Sequence, residues 1–217
     1  MTEGNGKLMT CGVDEAGRGP VIGPMVVSIV CGNPEELRGI GARDSKALSP
    51  QSREKLFHKI TEISRFYSIR IITASELNSL MDRINLNRIE EEAYSGLIAK
   101  SPMDCEYYVD SFDVDEGRLS KLLSERTGKK VVCKHKADSL FPAVSAASIL
   151  SKVTRDSEIE KLKQRYGDLG SGYPADPVTR EFIISSLRQG RDISDIIRTH
   201  WKTYRDLLGE SKKTTLF

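Results

Sequence analysis

The sequence predicts an α/β protein: a mixed five-stranded sheet flanked by helices, with a helical C-terminal portion. Three observations lead there. Two β-branched stretches near the N-terminus, Met9 to Asp14 and Val21 to Cys31, flank turn residues Gly17 to Pro20 and read as an antiparallel pair. Helical and strand patterns then alternate as far as Lys134. Beyond that point the patterns are helical only. Early paired strands followed by helix–strand alternation fit a mixed sheet covered by helices.

Each element has its own signal. Asn33 to Ser45 reads as a loop with Gly and Pro. Ser49 is an N-cap and Pro50 a first helical residue, opening a helix that runs to about Ile63. Phe66 to Thr73, dense in Ile, Phe and Tyr, reads as the third strand. Helical material begins at Ser75, and a longer helix is expected over Asn85 to Ala99. Tyr107 to Asp110 is a short strand, Ser120 to Arg126 a helix, and Lys130 to Lys134 the fifth strand. A long helix is expected from Pro142 to Tyr166, then a Gly- and Pro-rich loop to Pro177. Two more helices follow, near Val178 to Arg188 and Ile193 to Leu208. The expected organisation is a catalytic domain over 1–166, a packed helical portion over 167–208 and a flexible polar tail over 209–217.

At 217 residues the chain can bury roughly 70% of its unfolded surface, so it needs no disulfide or structural metal to fold. The net charge of +2 neither demands nor excludes a polyanionic partner. Cys11, Cys31, Cys105 and Cys133 form no Cys-x-x-Cys pair and read as small buried hydrophobes. The polar N-terminus lacks the apolar stretch of a signal peptide, and no run is long enough to span a bilayer. A cytoplasmic location, no membrane partner and a monomer are expected.

Several tempting motifs fail. Gly17-x-Gly19 lacks the third glycine of a dinucleotide loop, since Ile22 stands where it is needed, and strand rather than helix follows. Gly128-Lys129 lacks the rest of a P-loop. Cys133-x-His135 is too little for a zinc site. Asp113, Asp115 and Gly117 miss the register of a calcium loop.

Four acids stand out by position. Asp14 ends the first strand and Glu15 follows it; Asp110 ends the fourth strand; Asp138 follows the fifth. In an open sheet, functional groups gather where strands end. Two carboxylates about 4 Å apart repel by about 4 kcal/mol at an effective dielectric of 20, so a site of four needs cations or protons. Hard oxygen ligands favour Mg²⁺ or Mn²⁺, and two such ions suit phosphodiester cleavage. Each acid also has a plainer role open to it. Asp14 and Glu15 fit a solvated strand end, Asp110 a turn beside Ser111, and Asp138 a helix cap.

The wording of the motifs narrows this. The run Gly12-Val13-Asp14-Glu15-Ala16-Gly17-Arg18-Gly19-Pro20 through Pro24 resembles the opening of type 2 ribonuclease H, in its archaeal branch. So do Asp44-Ser45-Lys46-Ala47-Leu48-Ser49, Val109-Asp110-Ser111 and Lys134-His135-Lys136-Ala137-Asp138. Two more are Val144 through Val153 and Gly170-Ser171-Gly172-Tyr173-Pro174, all in the family's order. The resemblance implies a ribonuclease H-like fold. It implies hydrolysis of RNA in RNA–DNA hybrids and at ribonucleotides embedded in duplex DNA, leaving 3′-hydroxyl and 5′-phosphate ends. It implies that Asp14, Glu15, Asp110 and Asp138 hold Mg²⁺ or Mn²⁺, two ions during catalysis. It places Gly17, Arg18, Gly19 and Tyr173 where the family senses the ribonucleotide.

Only the 2′-hydroxyl separates RNA from DNA locally, and glycines let backbone groups approach it. Tyr173 can set a ring against the sugar; its plainer role is a loop tyrosine packed on the core. Arg18 and Lys46 are candidate phosphate contacts, or ordinary surface charges. Lys152 has no assigned role, and His135 reads as a hydrogen-bonded structural residue rather than a base. The ending Thr214-Thr215-Leu216-Phe217 resembles part of a sliding-clamp peptide but lacks its Gln and second aromatic. A non-catalytic hybrid binder would gain nothing from four carboxylates facing phosphates. A DNA nuclease would not need the Gly-Arg-Gly and Gly-Tyr-Pro loops.

Overall fold

The computed structural model describes residues 9–41 and 49–213. Lys46 and the Thr214 to Phe217 ending therefore lie outside the described residues. The five strands are β1 (Thr10–Ala16), β2 (Met25–Gly32), β3 (Phe66–Ile72), β4 (Glu106–Asp110) and β5 (Val131–Lys134). They form one mixed sheet in the order β3-β2-β1-β4-β5. β1 pairs parallel with β4, and β4 parallel with β5. Parallel neighbours require crossover connections, and α5 (Glu116–Thr127) is the one between β4 and β5. All eight residues of β2 are buried, as expected of an apolar strand covered on both faces.

The remaining described helices are α1 (Pro34–Gly39), α2 (Pro50–Ile63), α3 (Ala74–Met81), α4 (Leu86–Lys100), α6 (Ala137–Leu140), α7 (Pro142–Tyr166), α8 (Pro177–Arg188) and α9 (Lys202–Lys213). α2 starts as its sequence predicts: Ser49 Oγ accepts from the Ser52 amide at 3.2 Å, with Pro50 behind it. α1 falls where the sequence predicts a loop. Asn33 Oδ1 caps it, accepting from the amides of Glu35 at 2.9 Å and Glu36 at 3.1 Å. α5 begins earlier than Ser120 because Asp115 Oδ1 accepts from the Arg118 amide at 2.9 Å.

Two further departures share a cause, which is competition for backbone groups. β2 begins at Met25 rather than Val21, because the amides of Val21 and Ile22 donate to the Gly172 carbonyl at 2.8 and 3.2 Å. Residues 193–201 do not continue α9 backwards. There the Asn78 side chain donates to the Ile197 carbonyl at 2.8 Å and accepts from the Thr199 amide at 2.9 Å. α9 instead runs on to Lys213, through residues expected to belong to the tail.

The chain divides into two compact units. One comprises Met1–Ala16, Val27–Arg70 and Glu90–Val153; the other Gly17–Val26, Ile71–Ile89 and Thr154–Phe217. Each has its own core. In the first, Val30, Leu37, Ile60, Ile149 and Leu150 pack with the alanines of α7. In the second, Ile22, Ile159, Phe182, Ile183, Ile193 and Leu207 pack together. Each such fully buried aliphatic side chain contributes about 1.5–3 kcal/mol. Within the first unit Gly12 lets β1 lie directly on α7. A Cβ there would sit 2.1 Å from the Ala143 carbonyl carbon and the Val144 nitrogen.

The cysteines need a correction. Cys11 and Cys31 are joined by a disulfide, with Cα atoms 4.0 Å apart, while Cys105 and Cys133 are free. Their 20-residue separation carries no pairing signal; the pair exists because β1 and β2 are neighbours in the sheet. Among the described residues no helix is long and apolar enough to cross a membrane.

Candidate active site

Three of the four singled-out acids meet in the first unit. Asp14 lies near the end of β1, is only 5% exposed, and accepts from the Glu15 amide at 2.7 Å through Oδ1. Its carboxyl pKa is held well above the usual range, first by burial and then by the charges of Glu15 and Asp110. A hydrogen bond from Ser148 and the one from the Glu15 amide offset part of that. α7 supplies both the Ser148 contact and a bond from Ser151 Oγ to the Asp14 carbonyl at 3.0 Å. The close approach at Gly12 is what brings α7 near enough to do so.

Asp110 ends β4, which pairs directly with β1. Parallel pairing puts both C-terminal strand ends on the same sheet edge, so the Coulombic contact with Asp14 follows from topology. Asp110 Oδ1 also accepts from the Ala137 amide at 2.8 Å, which ties β4 to the start of α6. The next residue is Asp138, 6% exposed. It lines a cavity of about 130 Å³ with Arg38, Ser139, Leu140, Phe141 and Pro142.

Glu15, like Asp110, is half-buried, and its Oε2 accepts a hydrogen bond from the Tyr94 hydroxyl. Burial, then the carboxylates of Glu15, Asp14 and Glu90, push the Tyr94 pKa well above its ordinary value, so this hydroxyl stays a donor. No signal in the sequence marks Tyr94; its apolar neighbours on α4 make it look like core.

Among the described residues no three His, Cys, Asp or Glu side chains are gathered tightly enough to hold a metal ion as they stand. The chemistry of the donor set nonetheless fits a hard divalent cation. It is all carboxylate oxygen, and its central member is a buried acid pushed toward neutrality by two others. A cation beside Asp14 would offset both the cost of burying its charge and the repulsion from Glu15 and Asp110.

The residues expected to read the ribose lie in the second unit. Gly17 holds φ +85, and a Cβ there would meet the Pro24 carbonyl oxygen at 2.6 Å and Arg155 Cγ at 3.2 Å. Arg18 donates to Asn87 Oδ1 at 2.7 Å, and its carbonyl accepts from the buried Arg198 at 3.2 Å. The Gly19 carbonyl accepts from the Trp201 indole at 3.2 Å. Tyr173 is 40% exposed rather than packed into the core. Its ring lies 5.0 Å from the guanidinium carbon of Arg155, itself 5% exposed and donating to the Ser171 carbonyl at 2.6 Å. Arg155, Arg198 and Trp201, which hold these loops, escape sequence reasoning because buried arginines look like surface charges in a string of letters.

His135 Nδ1 lies 3.3 Å from the Ser111 carbonyl oxygen, and its amide donates to Glu116 at 2.6 Å, in keeping with a structural residue. Lys152 is half-buried on α7.

A mixed ribonuclease H-like sheet with carboxylates at its strand ends is the frame of a metal-dependent nucleic-acid hydrolase. Residues 11–204 match the family Ribonuclease HII, and the chain belongs to that family. The Ribonuclease HII of Thermoplasma volcanium is 52% identical over 197 residues, 91% of this chain and 92% of that protein. The crystal structure of ribonuclease H2 from Pyrococcus horikoshii superposes with a TM-score of 0.89 at 42% identity, covering 95% of this chain and all (100%) of that one. The ribonuclease HII in a complex with PCNA from Archaeoglobus fulgidus gives a TM-score of 0.86 at 43% identity, covering 91% and 96%. The protein is thus a metal-dependent endoribonuclease with ribonuclease H activity on RNA–DNA hybrids.

Proposed function

We propose that the protein incises at single ribonucleotides embedded in duplex DNA as well as along hybrids, by two-metal-ion hydrolysis leaving 3′-hydroxyl and 5′-phosphate ends. The observation that carries this reading is the buried Asp14 carboxyl pressed upon by Glu15 and Asp110 at one sheet edge. Asp14, Glu15, Asp110 and Asp138 would hold Mg²⁺ or Mn²⁺. When bound, such ions activate water and stabilise the leaving oxygen. Asp14 orients through its bond from the Glu15 amide, and Ala137 fixes Asp110. Gly17, Arg18 and Gly19 offer main-chain groups to the 2′-hydroxyl, and Tyr173 sets its ring against the sugar. Lys46 is assigned to a phosphate contact.

The test is incubation with Mg²⁺ or Mn²⁺ and duplex DNA carrying one ribonucleotide, beside an all-DNA control. Incision confined to the ribonucleotide, with the stated ends, is expected. No incision there, or equal cutting of both duplexes, overturns the reading. The Archaeoglobus fulgidus relative is found in complex with PCNA, and this chain's Thr214 to Phe217 ending is assigned the same kind of sliding-clamp contact. Equal clamp binding by the full chain and by a chain lacking residues 213–217 would sink that assignment.

A further inference from the structure

We propose that Tyr94 is a positioning residue for Glu15, presetting that carboxylate for a divalent cation. This rests on the reading of Glu15 as a metal-holding residue. Tyr94 is fully buried on α4, and its ring packs edge-on against Phe112 with centroids 5.3 Å apart. Packing therefore holds the ring in place, and its hydroxyl donates to one carboxylate oxygen, Oε2 of Glu15. Asp14, meanwhile, takes the Glu15 amide on its Oδ1. Glu15 is thus held at both ends, its backbone through Asp14 and its side chain through Tyr94.

A glutamate side chain has three rotatable bonds and loses that freedom when it takes a cation. A donor that has already engaged Oε2 removes part of the loss before any ion arrives. This is the usual action of a partner behind a metal ligand, whose removal weakens metal binding by about 10–100-fold. One neutral hydroxyl belongs at the low end of that range.

The test uses Tyr94→Phe, which keeps the ring and its packing on Phe112. Mn²⁺ binding to the full-length protein is titrated, with the free ion read by electron paramagnetic resonance. Thermal unfolding is followed in EDTA. Expected are Mn²⁺ affinity about tenfold weaker, an unchanged unfolding midpoint in EDTA, and a half-saturating Mn²⁺ for cleavage raised by about the same factor. The rate at saturating Mn²⁺ stays within about twofold. In a Glu15→Gln background the same change has little further effect, because the two side chains act as one unit. Mn²⁺ affinity within twofold of wild type, or an equal loss in the Glu15→Gln background, overturns the proposal alone. A wild type that binds no Mn²⁺ overturns the metal-site reading and the proposal with it.

Discussion

Replacing Asp14 by Asn should make the metal-free protein more stable while abolishing its metal-dependent cleavage. Asp14 is 5% exposed and carries repulsion from Glu15 and Asp110 on top of the cost of burial. Two carboxylates about 4 Å apart repel by about 4 kcal/mol at an effective dielectric of 20. The bonds from Ser148 and the Glu15 amide offset part of this, leaving a net strain of about 1–3 kcal/mol. The amide isostere keeps an oxygen for the Glu15 amide and brings a donor toward the neighbouring acids. In EDTA at pH 7 the unfolding midpoint should therefore rise by about 2–12 °C. The pH dependence has a definite sign. Folding raises the Asp14 pKa, so the native state holds that proton more tightly than the unfolded chain does. Wild type is at no disadvantage below its unfolded value of 3.8, and loses ground to D14N as pH rises from there through the folded pKa. Saturating Mn²⁺ should stabilise wild type and leave D14N nearly unmoved. Differential scanning calorimetry at several pH values, with and without Mn²⁺, reads all of this. A D14N protein no more stable than wild type in EDTA at pH 7 would refute the electrostatic reasoning.

Three other outcomes are expected. Tyr173→Ala, at a 40% exposed side chain, should leave the unfolding midpoint nearly unchanged and narrow the preference for ribonucleotide-containing over all-DNA duplex; undiminished preference removes Tyr173 from ribose reading. Gly17→Ala forces a Cβ to 2.6 Å from the Pro24 carbonyl at φ +85, so it should cost about 1–3 kcal/mol in urea unfolding together with a large loss of cleavage; a neutral effect on both would discredit the turn. Reducing the Cys11–Cys31 disulfide, which closes a loop of about 20 residues, should lower stability by about 3 kcal/mol; an unfolding midpoint insensitive to dithiothreitol would show that the bond contributes nothing.

Much of the architecture was legible locally. The 25-residue helix Pro142–Tyr166 falls where its sequence predicts, because a proline start and an unbroken helical pattern are properties of neighbouring residues. Ser49 capping α2 is equally local. The misplaced elements are those whose backbone groups bond far along the chain. The Val21 and Ile22 amides go to Gly172, and the Ile197 carbonyl goes to Asn78. No window of sequence contains both ends of such a bond.

The site divides the same way. By position alone the sequence marked the acids at strand ends, and the resemblance of its motifs, the Gly-Arg-Gly turn and the Gly-Tyr-Pro loop among them, pointed to the family. Tertiary structure alone decided that β4 lies beside β1, and hence that Asp110 presses on Asp14. It alone decided that Tyr94 stands behind Glu15, that Arg155 lies under Tyr173, and that Cys11 meets Cys31. The physical reason is common to all four. Each depends on a distance between residues apart in the chain, and for Asp14 and Tyr94 burial adds to it by excluding water, which strengthens the charge and hydroxyl interactions.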